Sequence, residues 1–219
     1  MKVLVACEFS GVVRDAFLAL GHDAMSCDLL PSDLPGPHHH GDVLDILGDG
    51  WDLMIAHPPC TYLTGAAEWA YADRPMINGQ PRNLKEGTLI GTARRDAREK
   101  ALIFVSNLWC APIQRKCIEN PVGIITRELP EMGRPQYIQP YMFGHDASKK
   151  TGLWLDNLPT LQGTEMIKPR YVDGKPRWGN QTDSGQNKES PADYRWKKRS
   201  ITYHGIAEAM AEQWGLCNF

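Results

Sequence analysis

Apolar positions along the chain follow two alternating patterns. Some form short continuous runs, and others recur every three or four residues over longer stretches. Residues 3–6 form a run of strand length, and residues 12–20 then show helical spacing. The same alternation predicts later strands and helices, namely strands at 22–27, 52–56, 113–118 and within 136–161, and helices at 92–109 and 205–214. Because strands alternate with helices, we predict an α/β protein with a mostly parallel sheet.

Two segments interrupt this pattern. Residues 29–41 are rich in proline and histidine, and we expect them, including His38–His40, to form a surface loop before a strand. Three adjacent histidines can bind a metal, but no second cluster of ligands stands nearby in the sequence, so no metal site is predicted. Residues 61–90 lack periodicity and are rich in Gly, Pro, Asn and Ala, which favours a functional or mobile loop.

The composition of the 219 residues is that of an ordinary globular protein, with 42% hydrophobic and 23% charged residues. It excludes a disordered chain, a collagen-like fibre and a coiled coil. No window reaches the ~18 apolar residues of a membrane span, and the first apolar run is shorter than a secretory signal. The six cysteines form no Cys-x-x-Cys pair. We therefore expect a cytoplasmic protein with free thiols and no contact with a membrane.

Charge is distributed unevenly along the chain. Residues 1–60 carry two basic and nine acidic side chains, whereas residues 162–200 carry nine basic and five acidic ones. Four aromatic residues are interleaved with the basic ones: Tyr171, Trp178, Tyr194 and Trp196. Such interleaving is typical of a nucleic-acid contact, and a solvated loop explains it equally well.

Polar residues and turns follow several of the predicted strands. In a parallel sheet, ligands bind in the crevice outside the carboxyl ends of the strands. The candidates at strand ends are Phe9-Ser10-Gly11, Asp28, Asp42, Pro59-Cys60 and Glu119. We expect all five to converge on one crevice.

Three of these candidates together indicate a nucleoside-containing cofactor. Gly11 lets a ligand approach the backbone at a helix N-terminus, which favours an anion. Asp28 is placed to accept hydrogen bonds from both hydroxyls of a ribose, and Asp42 can accept one from an exocyclic amine such as adenine N6. A tight turn without a ligand explains Gly11 nearly as well, and either aspartate alone fits a cap or turn residue.

Two further candidates can carry chemistry on a base. Cys60 follows two prolines, which stiffen its loop and fix the direction of its thiol. A thiolate is a strong nucleophile when its pKa is lowered or when it faces an electrophile in a dry pocket. Glu119 can bind the edge of a base and hold or donate a proton there. The alternatives are a buried inert thiol for Cys60 and a capping or surface acid for Glu119.

In their order along the chain, these motifs resemble those of the DNA cytosine-5 methyltransferases, and the chain is similar to compact, bacteriophage-type members of that family. The resemblance spans residues 3–161 and 200–215. It implies a Rossmann-like class I methyltransferase fold and the cofactor S-adenosylmethionine. The catalytic residues that it implies are Cys60, Pro59 and Glu119. The implied cofactor-binding residues are Phe9, Ser10, Gly11, Asp28, Asp42, Pro58 and His204, and the implied substrate-binding residues are Asn120, Lys149, Lys150, Thr151, Lys197, Lys198 and Arg199.

The sequence departs from the family pattern in several places. Val12-Val13 stand where the family has further glycines, Ser148–Thr151 takes the place of a Gln-x-Arg-x-Arg stretch, and His204 replaces an Asn. The large target-recognition domain of the family is absent. We expect residues 1–161 and 200–219 to form the methyltransferase domain, with 162–199 as a short insertion that serves as a reduced target-recognition segment.

The resemblance implies DNA as the partner, with the target cytosine flipped out of the helix to meet Cys60. One alternative is methylation of RNA or of a free nucleotide, which the small recognition segment would suit. Another is a non-catalytic nucleic-acid-binding protein, which the departures at Val12-Val13 and Lys149-Lys150 support. An amino-methyltransferase fits poorly, because His57 and Cys60 occupy the outer positions of its Asp/Asn-Pro-Pro-aromatic motif.

Overall fold

A seven-stranded sheet forms the centre of the protein in a computed structural model, which describes residues 1–65, 67–189 and 195–215. Its strands are β1 (Lys2–Ala6), β2 (Asp23–Asp28), β3 (His38–His40), β4 (Leu53–Ala56), β5 (Arg115–Pro121), β6 (Gln136–Ile138) and β7 (Thr151–Asp156). Their order is β3-β2-β1-β4-β5-β7-β6, in which β7 runs antiparallel to both neighbours and the other four pairs are parallel. This topology confirms the predicted α/β fold with a mostly parallel, Rossmann-like sheet.

Helices cover both faces of the sheet. They are α1 (Val12–Ala19), α2 (Gly91–Trp109), α3 (Ile125–Glu128), α4 (Arg195–Ser200) and α5 (His204–Gly215). Short 3₁₀ turns lie at Val43–Asp45, Glu68–Tyr71, Pro130–Met132 and Pro140–Met142. Among the described helices, none is both long and apolar enough to span a bilayer.

Two hydrophobic clusters lie on opposite faces of the sheet. On one face, α1 and α5 pack against Val3 and Val5 of β1. On the other face, α2 and α3 pack in the cluster that contains Leu4 and Ala6. Because successive side chains of a strand point to opposite faces, a strand covered on both sides reads as a continuous apolar run. This accounts for the short apolar runs in the sequence.

The histidine segment differs from its prediction, since His38–His40 is strand β3 and not a surface loop. It pairs in parallel with the end of β2. The two ring nitrogens of His38 lie 2.9 Å from the hydroxyl of Ser26 and 3.0 Å from the carbonyl oxygen of Leu30. The pairing satisfies backbone groups that a loop would leave to water, and the histidine side chain holds the preceding loop in place.

The segment 61–90 contains more structure than its sequence predicts. Besides a 3₁₀ turn, it forms a short hairpin within residues 76–81. Helix α2 anchors it, because the guanidinium of Arg98 lies 3.4 Å from the centre of the Tyr71 ring. Arg98 also donates a hydrogen bond to the carbonyl oxygen of Tyr62 at 3.0 Å. Cation–π contacts and hydrogen bonds to a packed helix therefore hold this segment against the domain.

The basic segment that follows β7 forms a small antiparallel hairpin from Arg170–Val172 and Lys175–Arg177. Its base docks onto the domain, where Trp178 stacks on Tyr141 with ring centroids 4.4 Å apart. Tyr194, one of the aromatic residues of this segment, lies outside the described residues, as do residues 216–219 of the predicted domain.

Candidate active site

Two adjoining cavities open at the carboxyl ends of the strands. The larger cavity, about 520 Å³, lies between the ends of β1, β4 and β5 and helix α4. The smaller cavity, about 320 Å³, lies between the ends of β1 and β2 and the turn after β3. Cys7 and Pro59 line both cavities. The structure thus brings most of the predicted strand-end residues together: Phe9, Ser10, Pro58, Pro59, Cys60, Glu119 and Asn120 line the larger cavity, and Asp28, Asp42 and Pro59 line the smaller one.

The turn after β1 is held by a buried acid that the sequence analysis missed. The Glu8 carboxylate accepts hydrogen bonds from the backbone N–H groups of Val13 at 2.7 Å and Arg14 at 3.3 Å, and from the Ser10 hydroxyl at 3.1 Å. Glu8 therefore caps the free N–H groups at the start of α1. Gly11 has a φ of +75°, which other residues rarely adopt, and it lines neither cavity. Its place is that of a turn residue.

Arg14 fixes the loop between β2 and β3, which forms one side of the site. The side chain is fully buried. Its guanidinium donates to the Asp15 carboxylate, to the hydroxyls of Ser26 and Ser32, and to the carbonyl oxygens of Leu34 and Pro35. One planar cation thereby satisfies five acceptors on three segments, namely helix α1, strand β2 and the loop that follows β2.

Asp28 and Asp42 act as caps and also line the smaller cavity. Asp28 Oδ1 accepts a hydrogen bond from the N–H of Leu30 at 2.9 Å, and Asp42 Oδ1 accepts one from the N–H of Leu44 at 3.0 Å. The cap or turn alternative is thus part of the geometry, and both carboxylates also line the cavity. Leu29, which sequence reasoning missed, is 73% exposed and lines the cavity beside Asp28.

Burial raises the pKa of three groups that line the smaller cavity. It raises the pKa of Asp28, and the N–H of Leu30 and the nearby His38 offset that effect only in part. Burial also raises the pKa of Cys27 to about 12 and raises that of Cys7 as well. Both thiols are therefore protonated at neutral pH and act as small apolar wall groups.

Cys60 lies at the turn that leaves β4, and a side chain of β5 holds that turn. The Asn120 amide donates a hydrogen bond to the carbonyl oxygen of Pro58 at 2.9 Å. The Cys60 carbonyl oxygen accepts from the N–H groups of Leu63 and Thr64. Burial and the charge of Glu119 raise the pKa of the Cys60 thiol, against the opposing charges of Lys149 and Arg199. In the resting protein the thiol is protonated.

Glu119 lies beside the cavity with partners on three sides. His57 Nδ1 is 3.3 Å from Glu119 Oε2, Lys149 lies nearby in the cavity wall, and the Thr151 hydroxyl faces the carboxylate. Burial acts to raise the pKa of Glu119, but the hydrogen bond from His57, the charge of Lys149 and the hydroxyl of Thr151 together lower it. The carboxylate is ionised at neutral pH. Sequence reasoning did not assign His57 to the site, although it directly follows β4 and stands three residues before Cys60.

The stretch from 149 to 151 contributes unequally to the site. Lys149 lines the larger cavity, and its Nζ donates to the carbonyl oxygen of Arg199 at 2.8 Å. Lys150 is exposed and its Nζ lies 4.2 Å from the centre of the Tyr137 ring, outside the cavity walls. Thr151 is buried next to Glu119. The structure therefore brings Lys149 and Thr151 to the site and places Lys150 on the surface.

Helix α4 forms the outer wall of the larger cavity. Arg199 lines it, together with Trp196 and Thr202, which sequence reasoning did not assign to the site. Lys197 lies 5.1 Å from the centre of the Phe9 ring and bonds the Asp33 carboxylate at 2.7 Å. These contacts place Lys197 on the outer side of the turn after β1.

Two other predicted residues lie apart from the cavities. Lys198 Nζ is 3.8 Å from the Glu189 carboxylate and is absent from both cavity walls. His204 is exposed and lines a separate groove between α1 and α5, so the structure does not bring it to the other cofactor-binding candidates. Within residues 1–65, 67–189 and 195–215, no group of three or more His, Cys, Asp or Glu side chains is arranged to hold a metal ion.

Comparison with known proteins adds a likeness in fold. Neither a protein-family model nor a curated protein matches the sequence. A solved structure that is similar is described as a "putative DNA modification methyltransferase encoded within prophage" of E. coli. It is 14% identical with a TM-score of 0.44, and the match covers 80% of this chain and 53% of that chain. This chain thus spans about half the length of that protein, and function has to be inferred from the residues of the site.

Proposed function

We propose that this protein is an S-adenosylmethionine-dependent methyltransferase that methylates C5 of cytosine in DNA through a covalent bond to Cys60. The observation that carries the proposal is the meeting of Cys60 and Glu119 in one cavity, beside a second cavity that contains Asp28 and Asp42. The reaction needs a nucleophile and a base-binding acid in one pocket, next to a pocket for the nucleoside of the cofactor.

The donor set of the smaller cavity fits the nucleoside part of S-adenosylmethionine. Asp28 would accept hydrogen bonds from ribose hydroxyls and Asp42 from the adenine amine, while Leu29, Val43 and Phe104 provide apolar walls. Its volume of about 320 Å³ lies within the range of about 300–1,000 Å³ that is usual for ligand pockets. When bound, S-adenosylmethionine supplies an electrophilic methyl group.

Cys60 would act as the nucleophile. The thiol loses its proton to solvent, the thiolate forms the Sγ–C6 bond with the flipped cytosine, and the ring electrons move so that C5 becomes nucleophilic. After C5 is methylated and its proton passes to a base, the electrons return, the Sγ–C6 bond breaks, and the thiolate is released. Lys149 and Arg199 limit the rise in the pKa of Cys60 and so favour the thiolate.

Glu119 would hold the edge of the cytosine. Its carboxylate can accept a hydrogen bond from the exocyclic N4 amine and can exchange a proton with N3. A group that faces the ring where charge develops stabilises the adduct more than the free base. Asn120 supports this arrangement, because its amide fixes Pro58 two residues before the nucleophile.

The contact to DNA is assigned to residues 162–199, a segment that ends within helix α4. Trp196 is 58% exposed and lines the larger cavity, and an exposed aromatic ring among basic side chains suits stacking on a base. Arg199 lines the cavity and can bind a phosphate. We assign to residues 162–199 the part of a reduced target-recognition segment, attached to the methyltransferase domain of residues 1–161 and 200–219.

The test is product analysis on parallel substrates. The purified protein is incubated with methyl-deuterated S-adenosylmethionine and unmodified duplex DNA, RNA or free cytidine nucleotides, and the digested nucleosides are measured by mass spectrometry. We expect labelled 5-methylcytosine from DNA with the wild type. Cys60→Ser should lower the rate by at least about 1,000-fold while cofactor binding persists. Cys110→Ser, which changes an exposed thiol, serves as the matched control and should retain full activity.

Each other outcome contradicts a named part of the proposal. Product from RNA or free nucleotides instead of DNA would overturn the substrate. Methyl groups on N4 of cytosine or N6 of adenine would overturn the covalent reaction. No product from any substrate, with cofactor bound and the fold intact, would favour a nucleic-acid-binding protein without catalysis.

A further inference from the structure

His57 is a buried titratable residue of the larger cavity that the reaction steps above leave without a role. It directly follows β4, and the register of the parallel strands pairs Ala56 with Ile118. The next residues along the two strands, His57 and Glu119, are therefore neighbours. The side chain of His57 is 9% exposed, and its Nδ1 lies 3.3 Å from Glu119 Oε2.

The second ring nitrogen of His57 is also informative. Nε2 is buried and has no hydrogen-bond partner among the residues that the structure describes. Buried polar atoms are nearly always paired, and His57 lines the cavity in which the substrate is proposed to bind. An unpaired nitrogen in such a wall indicates a position where a ligand or an ordered water completes the pairing.

The groups around Glu119 keep its carboxylate ionised, so Glu119 needs a proton from another residue before it can protonate a base. Its neighbours are His57 on the adjacent strand, Lys149 and Thr151 on the segment leading into β7, and Cys60 with Arg199 across the cavity. His57 and Lys149 keep the carboxylate ionised, because they outweigh the effect of burial on its pKa. Addition of sulfur to C6 places electron density on N3 of the base, and an ionised carboxylate has no proton to give to it.

We propose that His57 is a positioning residue for Glu119, and that it holds the proton which Glu119 passes to N3 of the target cytosine. This inference rests on the proposed function. As the Sγ–C6 bond forms, the imidazolium form of His57 gives its Nδ1 proton to Glu119, Glu119 passes this same proton to N3, and His57 is left neutral. When the Sγ–C6 bond breaks, the N3 proton returns through Glu119 to His57, so no proton is gained or lost along this path.

The first test compares His57→Asn with the wild type. The Asn amide can still donate a hydrogen bond at the place of Nδ1, but it cannot carry an exchangeable charge near neutral pH. We expect the cofactor affinity and the melting temperature to be retained and kcat to fall by about 100-fold. The pH–rate profiles of the two proteins should differ in shape, because only the wild type has an imidazole in the proposed proton path.

His22→Asn is the matched control, because His22 also has a buried Nε2 without a partner among the described residues, yet it precedes β2 at the opposite end of the sheet. This variant should keep the wild-type rate and pH profile. The inference is overturned if His57→Asn stays within about threefold of the wild-type kcat. It is equally overturned if the pH–rate profiles of His57→Asn and the wild type have the same shape.

A second measurement needs no methyl transfer. In ¹⁵N NMR of the labelled protein, the Nδ1 signal of His57 should shift in position and in pH dependence when Glu119→Gln removes the carboxylate. Identical His57 signals in the two proteins would overturn the inference even if methylation is observed. If the signals differ but no substrate is methylated, the failure belongs to the proposed function and the coupling of the two residues stands.

Discussion

The two cavities are assembled from different parts of the chain. The smaller cavity is built largely from one continuous stretch, residues 7–43, and Arg14 and Glu8 hold its loops from within that stretch. The larger cavity collects side chains from residues that lie up to 195 positions apart, from Cys7 to Thr202, and these include Cys60, Glu119 and Arg199. Local turns thus arrange the residues that we propose to bind the cofactor, whereas the sheet brings together the residues that we propose to react.

The electrostatics of the two cavities differ as well. The smaller one contains carboxylates that act as caps and thiols that stay protonated, a set suited to hold a neutral nucleoside. The larger one sets the Cys60 thiol and the Glu119 carboxylate against the cations Lys149 and Arg199. Opposed charges close to a thiol suit proton movement, so the proposed function divides recognition and reaction between the two cavities.

The largest expected effect comes from breaking the local framework of the smaller cavity. Arg14→Met removes a buried cation and leaves the buried Ser26 hydroxyl and the carbonyl oxygen of Pro35 without this donor. We expect a loss of roughly 3–5 kcal/mol in the free energy of unfolding, measured by urea denaturation. The matched control Arg127→Met removes an exposed arginine and should cost less than about 1 kcal/mol. Equal losses in both variants would show that Arg14 does not organise the loop.

A smaller effect should separate binding from stability at the same cavity. Asp28→Asn keeps an acceptor for the N–H of Leu30 but removes the charge offered to the ribose. We expect the dissociation constant for S-adenosylmethionine to rise by about 10–100-fold, measured by calorimetry. Asp23→Asn, an exposed substitution on the same strand, is the control and should bind normally.

The stability of the same variant should change in the opposite direction. Because the pKa of Asp28 is raised above its ordinary value of 3.8, ionisation of this group costs stability as the pH rises through the raised value. The wild type bears that cost at neutral pH and Asp28→Asn does not. Its melting temperature at pH 7.5 should therefore equal or exceed that of the wild type, and the difference should shrink toward pH 4. A melting temperature of Asp28→Asn below that of the wild type would contradict our inference that the ionised Asp28 carboxylate binds the ligand and destabilises the folded protein.

The smallest expected effect concerns the pKa of the Cys60 thiol in the larger cavity. Lys149 lowers the pKa of Cys60, so Lys149→Met should raise it and reduce the thiolate fraction. Alkylation of Cys60 by iodoacetamide, followed by mass spectrometry between pH 7 and 10, should slow by up to roughly tenfold, the size of one pKa unit. Lys150→Met is the neighbouring control and should alkylate at the wild-type rate. Equal alkylation rates in the two variants would show that Lys149 does not affect the pKa of the Cys60 thiol.

The contrast between the cavities also explains what sequence analysis could and could not find. The motifs at strand ends predicted where Asp28, Asp42, Cys60 and Glu119 would lie, because parallel strands end at one edge of a sheet. Lys150 and His204 were assigned to the site by their positions in sequence motifs. In the structure Lys150 lies over the Tyr137 ring and His204 lines the groove between α1 and α5, so neither lines the two cavities. His38–His40 was predicted to be a loop, because three residues carry too little periodicity to indicate an edge strand.

The sequence by itself determined the alternation of strands and helices, and with it the mostly parallel sheet, because hydrophobic periodicity is a local property of the chain. The tertiary structure decided which side chains meet. The contact between His57 and Glu119 depends on the register of β4 and β5, and the closure of the cavity by Trp196 depends on where α4 docks. Contacts between residues distant in sequence follow from packing, which no local pattern records.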